Sequence, residues 1–142
     1  MSRKTDALLK NILSAKDFNE VLDANAATFV EQSVSEYLQH LCRERGMIPE
    51  QVIKKSQIDR TYGHQIFNGT RLPSRDKLLM LSFGFELSLD ETQELLKTAG
   101  KSILYPKVKR DAAIIYGISH KMNIMDVQYL LTCVHLPLLG EA

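Results

Sequence analysis

Apolar residues recur at helical spacing from one end of this chain to the other, and this feature restricts the possible folds more than any other. No window alternates apolar and polar residues as a half-buried strand does. The clearest stripe has the i, i+3, i+4, i+7, i+8 spacing of a helix that faces a core, and it consists of Val34, Tyr37, Leu38, Leu41 and Cys42. The sequence therefore predicts an all-α protein.

Capping residues divide this pattern into separate helices. Ser33, with Glu36 three residues later, is typical of a helix N-terminus, and Gly46 is typical of a helix end. The later helices are predicted to run from Pro49 to about Ser56, from Arg60 to Phe67 between Asp59 and Asn68-Gly69, from a Ser74 cap to about Phe85, and onward from a capping box at Ser88.

Past Gly100 the chain repeats itself. Residues 75–100 align with residues 110–135 without a gap, and the identical pairs are Arg75/Arg110, Asp76/Asp111, Gln93/Gln128, Leu95/Leu130 and Leu96/Leu131. Two copies are too few for an independent solenoid. We therefore expect a second helical hairpin that copies the first and either packs on the central helices or pairs two chains.

The pattern suggests three regions: a helical extension over residues 1–32, a central unit over residues 33–101, and the C-terminal hairpin over residues 102–142. Within the extension, Thr5 to Val30 is predicted to form one or two short helices packed outside the central unit. In the hairpin, Tyr116, Met122, Met125 and Tyr129 are expected in the core because they have helical spacing, with a partner-binding groove as the alternative.

Charge is unevenly distributed although the net charge is only +1. Residues 43–77 hold eight basic and four acidic side chains, so a basic segment is set in an acidic remainder. This distribution favours one phosphate-binding face. The apolar runs are far shorter than the ~20 residues of a bilayer span, and no signal-peptide core is visible. We expect a cytoplasmic protein without a membrane partner, in which Cys42 and Cys133 are buried free thiols.

Two short helices joined by a tight turn, the second with an outward face, are what reading a DNA major groove requires. The stretch from Gly46 to Gly69 predicts this arrangement. It resembles the phage-repressor (XRE, lambda-repressor-like, Cro/C1-type) family without an insertion: Val52 and Ile58 fall on its core positions and Asp59 on its N-cap. Ile66-Phe67-Asn68-Gly69 is similar to the end of its recognition helix, and Arg71-Leu72-Pro73-Ser74 is similar to the following loop.

The resemblance implies a five-helix core and a prokaryotic or phage regulator of transcription that binds double-stranded DNA, with Arg60–Phe67 in the major groove. Base edges would be read by Arg60, Thr61, His64 and Gln65. Phosphates would be contacted by Lys54, Lys55, Asn68, Arg71 and Arg75. A homodimer is implied, with half-sites about one helical turn (~34 Å) apart.

Three residues depart from the family pattern. Pro49 stands where a phosphate-contacting Gln is usual, Ile53 where a small residue is usual, and Gly63 where an apolar residue is usual. Because a large-for-small exchange on one helix faces a small-for-large exchange on the next, volume is conserved and a repacked helix crossing is expected.

The alternative function is a protein-interaction adaptor built on the same scaffold, with its partner on the C-terminal hairpin. The chain has no glycine-rich phosphate loop, HExxH, CxxC or nucleophile elbow. We expect no enzymatic activity, no cofactor and no metal site, since His64 lacks neighbours at ligand spacing.

Overall fold

The computed structural model describes residues 3–24 and 33–140, and in these ranges it contains nine α-helices and no strand. The all-α prediction is confirmed. The helices are α1 (Arg3–Ser14), α2 (Phe18–Ala24), α3 (Val34–Arg45), α4 (Pro49–Ser56), α5 (Arg60–Asn68), α6 (Arg75–Phe85), α7 (Leu89–Thr98), α8 (Lys109–Ser119) and α9 (Ile124–Cys133). No helix in the described part is long and apolar enough to cross a membrane.

The chain divides into two compact units, Met1–Glu31 and Gln32–Ala142. The first contains α1 and α2, which are the short N-terminal helices that the sequence predicts; the end of that predicted stretch, residues 25–30, lies outside the described residues. The second contains α3 to α9. The predicted C-terminal hairpin therefore belongs to the same compact unit as the central helices.

The caps that the sequence predicts set the helix boundaries of the second unit. Ser33 Oγ accepts a hydrogen bond from the Glu36 N–H at 3.2 Å, and Gly46 ends α3 in the left-handed conformation at φ 63°. Asp59 accepts from the Tyr62 N–H at 3.1 Å and begins α5. These bonds satisfy backbone groups that a helix end leaves free, which is why local sequence predicts the ends so well.

Helices α4 and α6 approach closely at Gly84. A Cβ atom on this residue would lie 1.9 Å from Ser56 Oγ and 2.8 Å from the Val52 carbonyl oxygen, so no larger residue fits. The Ser56 hydroxyl is buried and donates to that same carbonyl at 2.7 Å. On the neighbouring pair, Arg45 of α3 forms an ion pair with Glu91 of α7. Through these contacts, α3 and α4 pack against the α6–α7 hairpin.

The helical repeat is confirmed, and it extends further than the aligned residues. Arg75 donates to the carbonyls of Ser102 and Ile103, and Arg110 donates to those of Pro137 and Leu138, which stand 35 positions later. In the same way, the side-chain amide of Gln93 forms hydrogen bonds with the backbone N–H and carbonyl of Leu104. The side-chain amide of Gln128 forms the same two bonds with Leu139. The two copies are therefore equivalent in the segments that follow their second helices as well as in the helices themselves.

The two copies are joined by reciprocal ion pairs. Arg75 of the first hairpin binds Asp111 of the second at 3.0 Å, and Arg110 of the second binds Asp76 of the first at 2.8 Å. Contacts in which i meets j and j meets i are the mark of a two-fold relation. The α6–α7 and α8–α9 hairpins therefore pack as a pseudo-symmetric pair inside one chain, and one apolar core includes residues of both.

Four predictions about burial are wrong. Met125, Tyr116 and Tyr129 are 63%, 48% and 73% exposed instead of buried in the core, although Met122 is partly buried. Cys133 is also exposed, whereas Cys42 is buried as predicted. All four residues lie on α8 and α9. Leu81, the equivalent of Tyr116 in the first hairpin, is buried, whereas Asp90 and Glu94, the equivalents of Met125 and Tyr129, are exposed there as well.

Candidate nucleic-acid interface

Helix α5 has one buried face and one accessible face. Gly63, Ile66 and Phe67 are buried against the core. The accessible face carries the four side chains predicted to read bases and the Asn68 side chain predicted to contact phosphate: Arg60, Thr61, His64, Gln65 and Asn68 are exposed or partly exposed. The structure thus brings the predicted base-reading residues onto a single surface.

The turn between α4 and α5 is only three residues long. Gln57 has a positive φ of 55°, and its N–H donates to carbonyls of the last turn of α4. Ile58 is buried and Asp59 caps α5. Since a left-handed residue reverses the chain at the end of a helix, this turn sets the angle at which α5 leaves α4.

At the crossing of α4 and α5, Ile53 faces Gly63, as the sequence predicts. A Cβ atom on Gly63 would lie 2.6 Å from Ile53 Cγ2, and Ile53 is almost fully buried. The isoleucine side chain fills the space that a larger residue at position 63 would need. The large residue at position 53 and the glycine at position 63 therefore compensate each other at this crossing.

A carboxylate lies at the edge of the accessible face. Glu50, in the first turn of α4, accepts hydrogen bonds from Arg60 Nε at 2.7 Å and from Arg60 Nη2 at 3.4 Å, and its other contact is His64 Nε2 at 2.9 Å. The bonds from Arg60 and then from His64 lower the pKa of Glu50, and Glu50 in turn raises the pKa of Arg60. Two of the predicted base-reading residues are therefore held by one acidic residue.

Gln65 and Arg71 also contact each other. Arg71 Nε donates to Gln65 Oε1 at 3.0 Å, and the Arg71 guanidinium stacks 4.6 Å from the centre of the Tyr62 ring. Lys77 Nζ lies 5.3 Å from the same ring, so two cations flank Tyr62. Because an amide oxygen can accept a second hydrogen bond, Gln65 keeps the bidentate geometry that suits adenine.

The residues predicted to contact phosphates have different environments. Lys54 and Lys55 are exposed on α4, with Lys55 3.9 Å from Glu86. Asn68 uses its oxygen to accept from the Thr70 N–H and hydroxyl, so its NH₂ group is left as the outward donor. Arg75 forms four hydrogen bonds, to Asp111 and to two carbonyls, at the interface between the hairpins. Its guanidinium is committed to that interface, and the geometry does not favour a phosphate contact.

Sequence reasoning missed Glu50 and Lys77 as parts of this surface. Glu50 is ten residues from Arg60, and only the crossing of α4 and α5 brings the two side chains together. No periodicity in the sequence signals that pair.

Among the described residues, no cluster of His, Cys, Asp and Glu could hold a metal ion. No protein-family model, curated protein or solved structure matches this chain.

Proposed function

We propose that this protein binds double-stranded DNA and regulates transcription, with α3 to α7 forming a phage-repressor-like core and α5 entering the major groove. The observation that carries the proposal is the accessible face of α5, where Arg60, Thr61, His64 and Gln65 lie together while the opposite face is anchored in the core. Arginine suits guanine O6 and N7, and glutamine suits adenine N6 and N7. A cytoplasmic regulator of prokaryotic or phage type fits this surface.

Phosphate contacts would come from the edges of the same surface. Lys54 and Lys55 lie on α4, and the Asn68 amide and Arg71 follow at the end of α5. Such contacts set the register of a protein on DNA but do not read sequence. Arg75 is held at the hairpin interface by Asp111 and is not part of this phosphate-binding set.

We propose further that two chains pair through α8 and α9, so that two recognition helices reach half-sites about one helical turn (~34 Å) apart. The support is the group of large apolar side chains exposed on these helices, Tyr116, Met125 and Tyr129. Large apolar side chains that lie together on a surface commonly mark protein interfaces.

The same exposed apolar side chains favour a second candidate function, that of a protein-interaction adaptor. In that case α8 and α9 would bind a different protein, and the basic segment of residues 43–77 would be only a solvated surface. The two functions differ in what they require of Arg60, which is central to a DNA reader and irrelevant to an adaptor that binds through α8–α9.

Selection from a pool of random 25-base-pair duplexes, followed by affinity measurements over a range of salt, tests the DNA proposal. With Lys54, Lys55 and Arg71 from each of two chains on phosphates, the log–log salt slope should be about −5. Arg60→Ala should remove sequence preference at one position, whereas Lys54→Ala should weaken binding to all duplexes alike. Absence of binding at low salt would reject the DNA proposal and leave the adaptor.

A further inference from the structure

Glu50 is an acidic residue at the edge of the accessible face of α5, which we propose binds a polyanion. Its carboxylate is about half exposed, and it bonds to Arg60 and His64 of α5 from the first turn of α4. A negative charge at this place opposes the binding of phosphates. The general charge of the surface does not explain why an acidic residue lies there.

A contribution to the stability of the fold does not explain the position of Glu50 either. An acidic side chain in a first helical turn interacts favourably with the helix dipole, but this requires no partner on another helix. The Arg60 side chain is 76% exposed, and ion pairs between exposed groups contribute little to stability. The two-point contact with Arg60 and the additional bond to His64 are left unexplained by either effect.

The geometry of the pair matters for what Arg60 can still bind. Glu50 occupies the side of the guanidinium that carries Nε and one N–H of Nη2. The end of the guanidinium, with both N–H groups of Nη1 and the second of Nη2, is left for another acceptor. That end has the fork geometry that matches O6 and N7 of guanine.

We propose that Glu50 is a specificity-determining residue that orients Arg60 toward guanine and disfavours its binding to phosphate. This inference rests on the proposed DNA-binding function. By holding one side of the guanidinium, Glu50 restricts the side chain before DNA arrives, so less conformational freedom is lost on binding the base. Its charge simultaneously lowers affinity for DNA in which no guanine is correctly placed.

The test compares wild type, Glu50→Gln and Glu50→Ala on two duplexes: the one most enriched by wild type from a random pool, and a scrambled duplex of the same composition. Both variants should bind the scrambled duplex more tightly than wild type, by roughly 3- to 10-fold at low salt. The ratio of the two affinities should fall by about 10-fold, which is the size of one base contact. Glu36→Gln, which removes the same charge from the first turn of α3, is the matched control and should change the ratio little.

A chemical change in the DNA distinguishes the orientation of Arg60 by Glu50 from a simple effect of the Glu50 charge. Replacing the contacted guanine by 7-deazaguanine removes the N7 acceptor and should weaken wild type by roughly 10-fold. The same replacement should weaken Glu50→Ala much less, because its arginine is no longer held toward that atom. Unfolding curves of all variants show whether the fold is retained.

The outcomes distinguish this inference from the function on which it rests. If wild type binds no duplex, both fail. If wild type binds and selects a sequence but Glu50→Gln and Glu50→Ala keep the wild-type affinity ratio and 7-deazaguanine response, Glu50 has no role in specificity and the DNA-binding function stands.

Discussion

Where α4 crosses α5, the large side chain of Ile53 on α4 faces Gly63 on α5, which has no side chain. A Cβ atom on residue 63 would lie 2.6, 2.7 and 2.9 Å from three side-chain carbons of Ile53. Those distances are too short for non-bonded carbon atoms, and Ile53 is only 2% exposed, so it has little room to move. The packing of this crossing therefore depends on both residues together.

Gly63→Ala is expected to destabilise the protein by about 1–3 kcal/mol because the new methyl group overpacks the crossing. Helix propensity alone predicts the opposite, a gain of about 1 kcal/mol. The free energy of unfolding from urea denaturation decides between the two signs. Thr61→Ala, on the exposed face of the same helix, is the control for propensity and should be close to neutral.

Ile53→Ala removes the three carbons that the new methyl group would meet. The double variant Gly63→Ala/Ile53→Ala should therefore lose less stability than the sum of the two single variants, with a coupling of about 1–3 kcal/mol. Additive losses would show that Ile53 and Gly63 do not share this space.

Single residues of the α5 surface were predictable to different degrees. Arg60, Thr61, His64 and Gln65 follow Asp59 at positions where helical spacing places them on one face, and the structure has them there. The contact of Glu50 with Arg60 depends on how two helices cross, and that crossing is determined by core packing around Ile53. Local pattern carries no information about it.

At the level of elements, the two helical hairpins are linked by a charge pair in each direction. Asp76 accepts hydrogen bonds from Arg110 and from the backbone N–H of Gly140. Burial raises the pKa of Asp76, but the bond from Arg110 and that from Gly140 outweigh burial, and the pKa is lowered overall. The ionised form is therefore the one that the folded protein stabilises.

Asp76→Asn should lower the free energy of unfolding at pH 7 by about 1–3 kcal/mol, since it leaves Arg110 without its anionic partner. A carboxyl group with a lowered folded-state pKa stabilises the fold above its unfolded pKa of about 3.9, and this contribution is lost as pH falls through the folded-state value. The difference between wild type and Asp76→Asn should consequently shrink below about pH 4.

Urea denaturation at pH 7 and at several values between pH 5 and pH 2 measures this effect. Asp90→Asn, at an exposed position in the first turn of α7, is the control for removing one negative charge and should cost much less at pH 7. A constant difference between wild type and Asp76→Asn down to pH 2 would contradict the assigned role of the Asp76 carboxylate.

The repeat itself was visible in the sequence, but its pairing was not. Identical Arg-Asp dipeptides 35 residues apart predicted two similar hairpins. Whether each arginine binds within its own hairpin or across to the other depends on the two-fold packing of the hairpins, and adjacent residues in a helix do not face each other. Only the structure showed that the pairs cross.

Across the second unit, the two similar hairpins have different surroundings. Leu81 of α6 is fully buried, whereas Tyr116, its equivalent in α8, is 48% exposed. Phe85 is buried with its ring tilted against that of Phe67 of α5, at 6.3 Å between ring centres, whereas its equivalent His120 is exposed. In the first hairpin this face is buried, and in the second hairpin Tyr116, which we propose as part of the pairing surface, lies on it.

Tyr129→Asp should prevent pairing of two chains without disrupting the fold of the single chain, because this side chain is 73% exposed and contributes little to the core. Light scattering coupled to size-exclusion chromatography at tens of micromolar protein should give a dimer mass for wild type and a monomer mass for the variant. Tyr105→Asp, at an exposed position outside α8 and α9, is the control and should remain dimeric. A monomeric wild type would reject the dimer.

The amino-acid sequence by itself determined where helices begin and end, which face of α5 lies against the core, and that one hairpin copies another. These properties depend on caps and periodicity within a few neighbouring residues. The tertiary structure decided that Glu50 holds Arg60, that Arg75 pairs with Asp111, and that Tyr129 and Cys133 are exposed. Each of these depends on which helix covers or crosses another, and apolar spacing along a helix is the same whether its face is covered by this chain or left open.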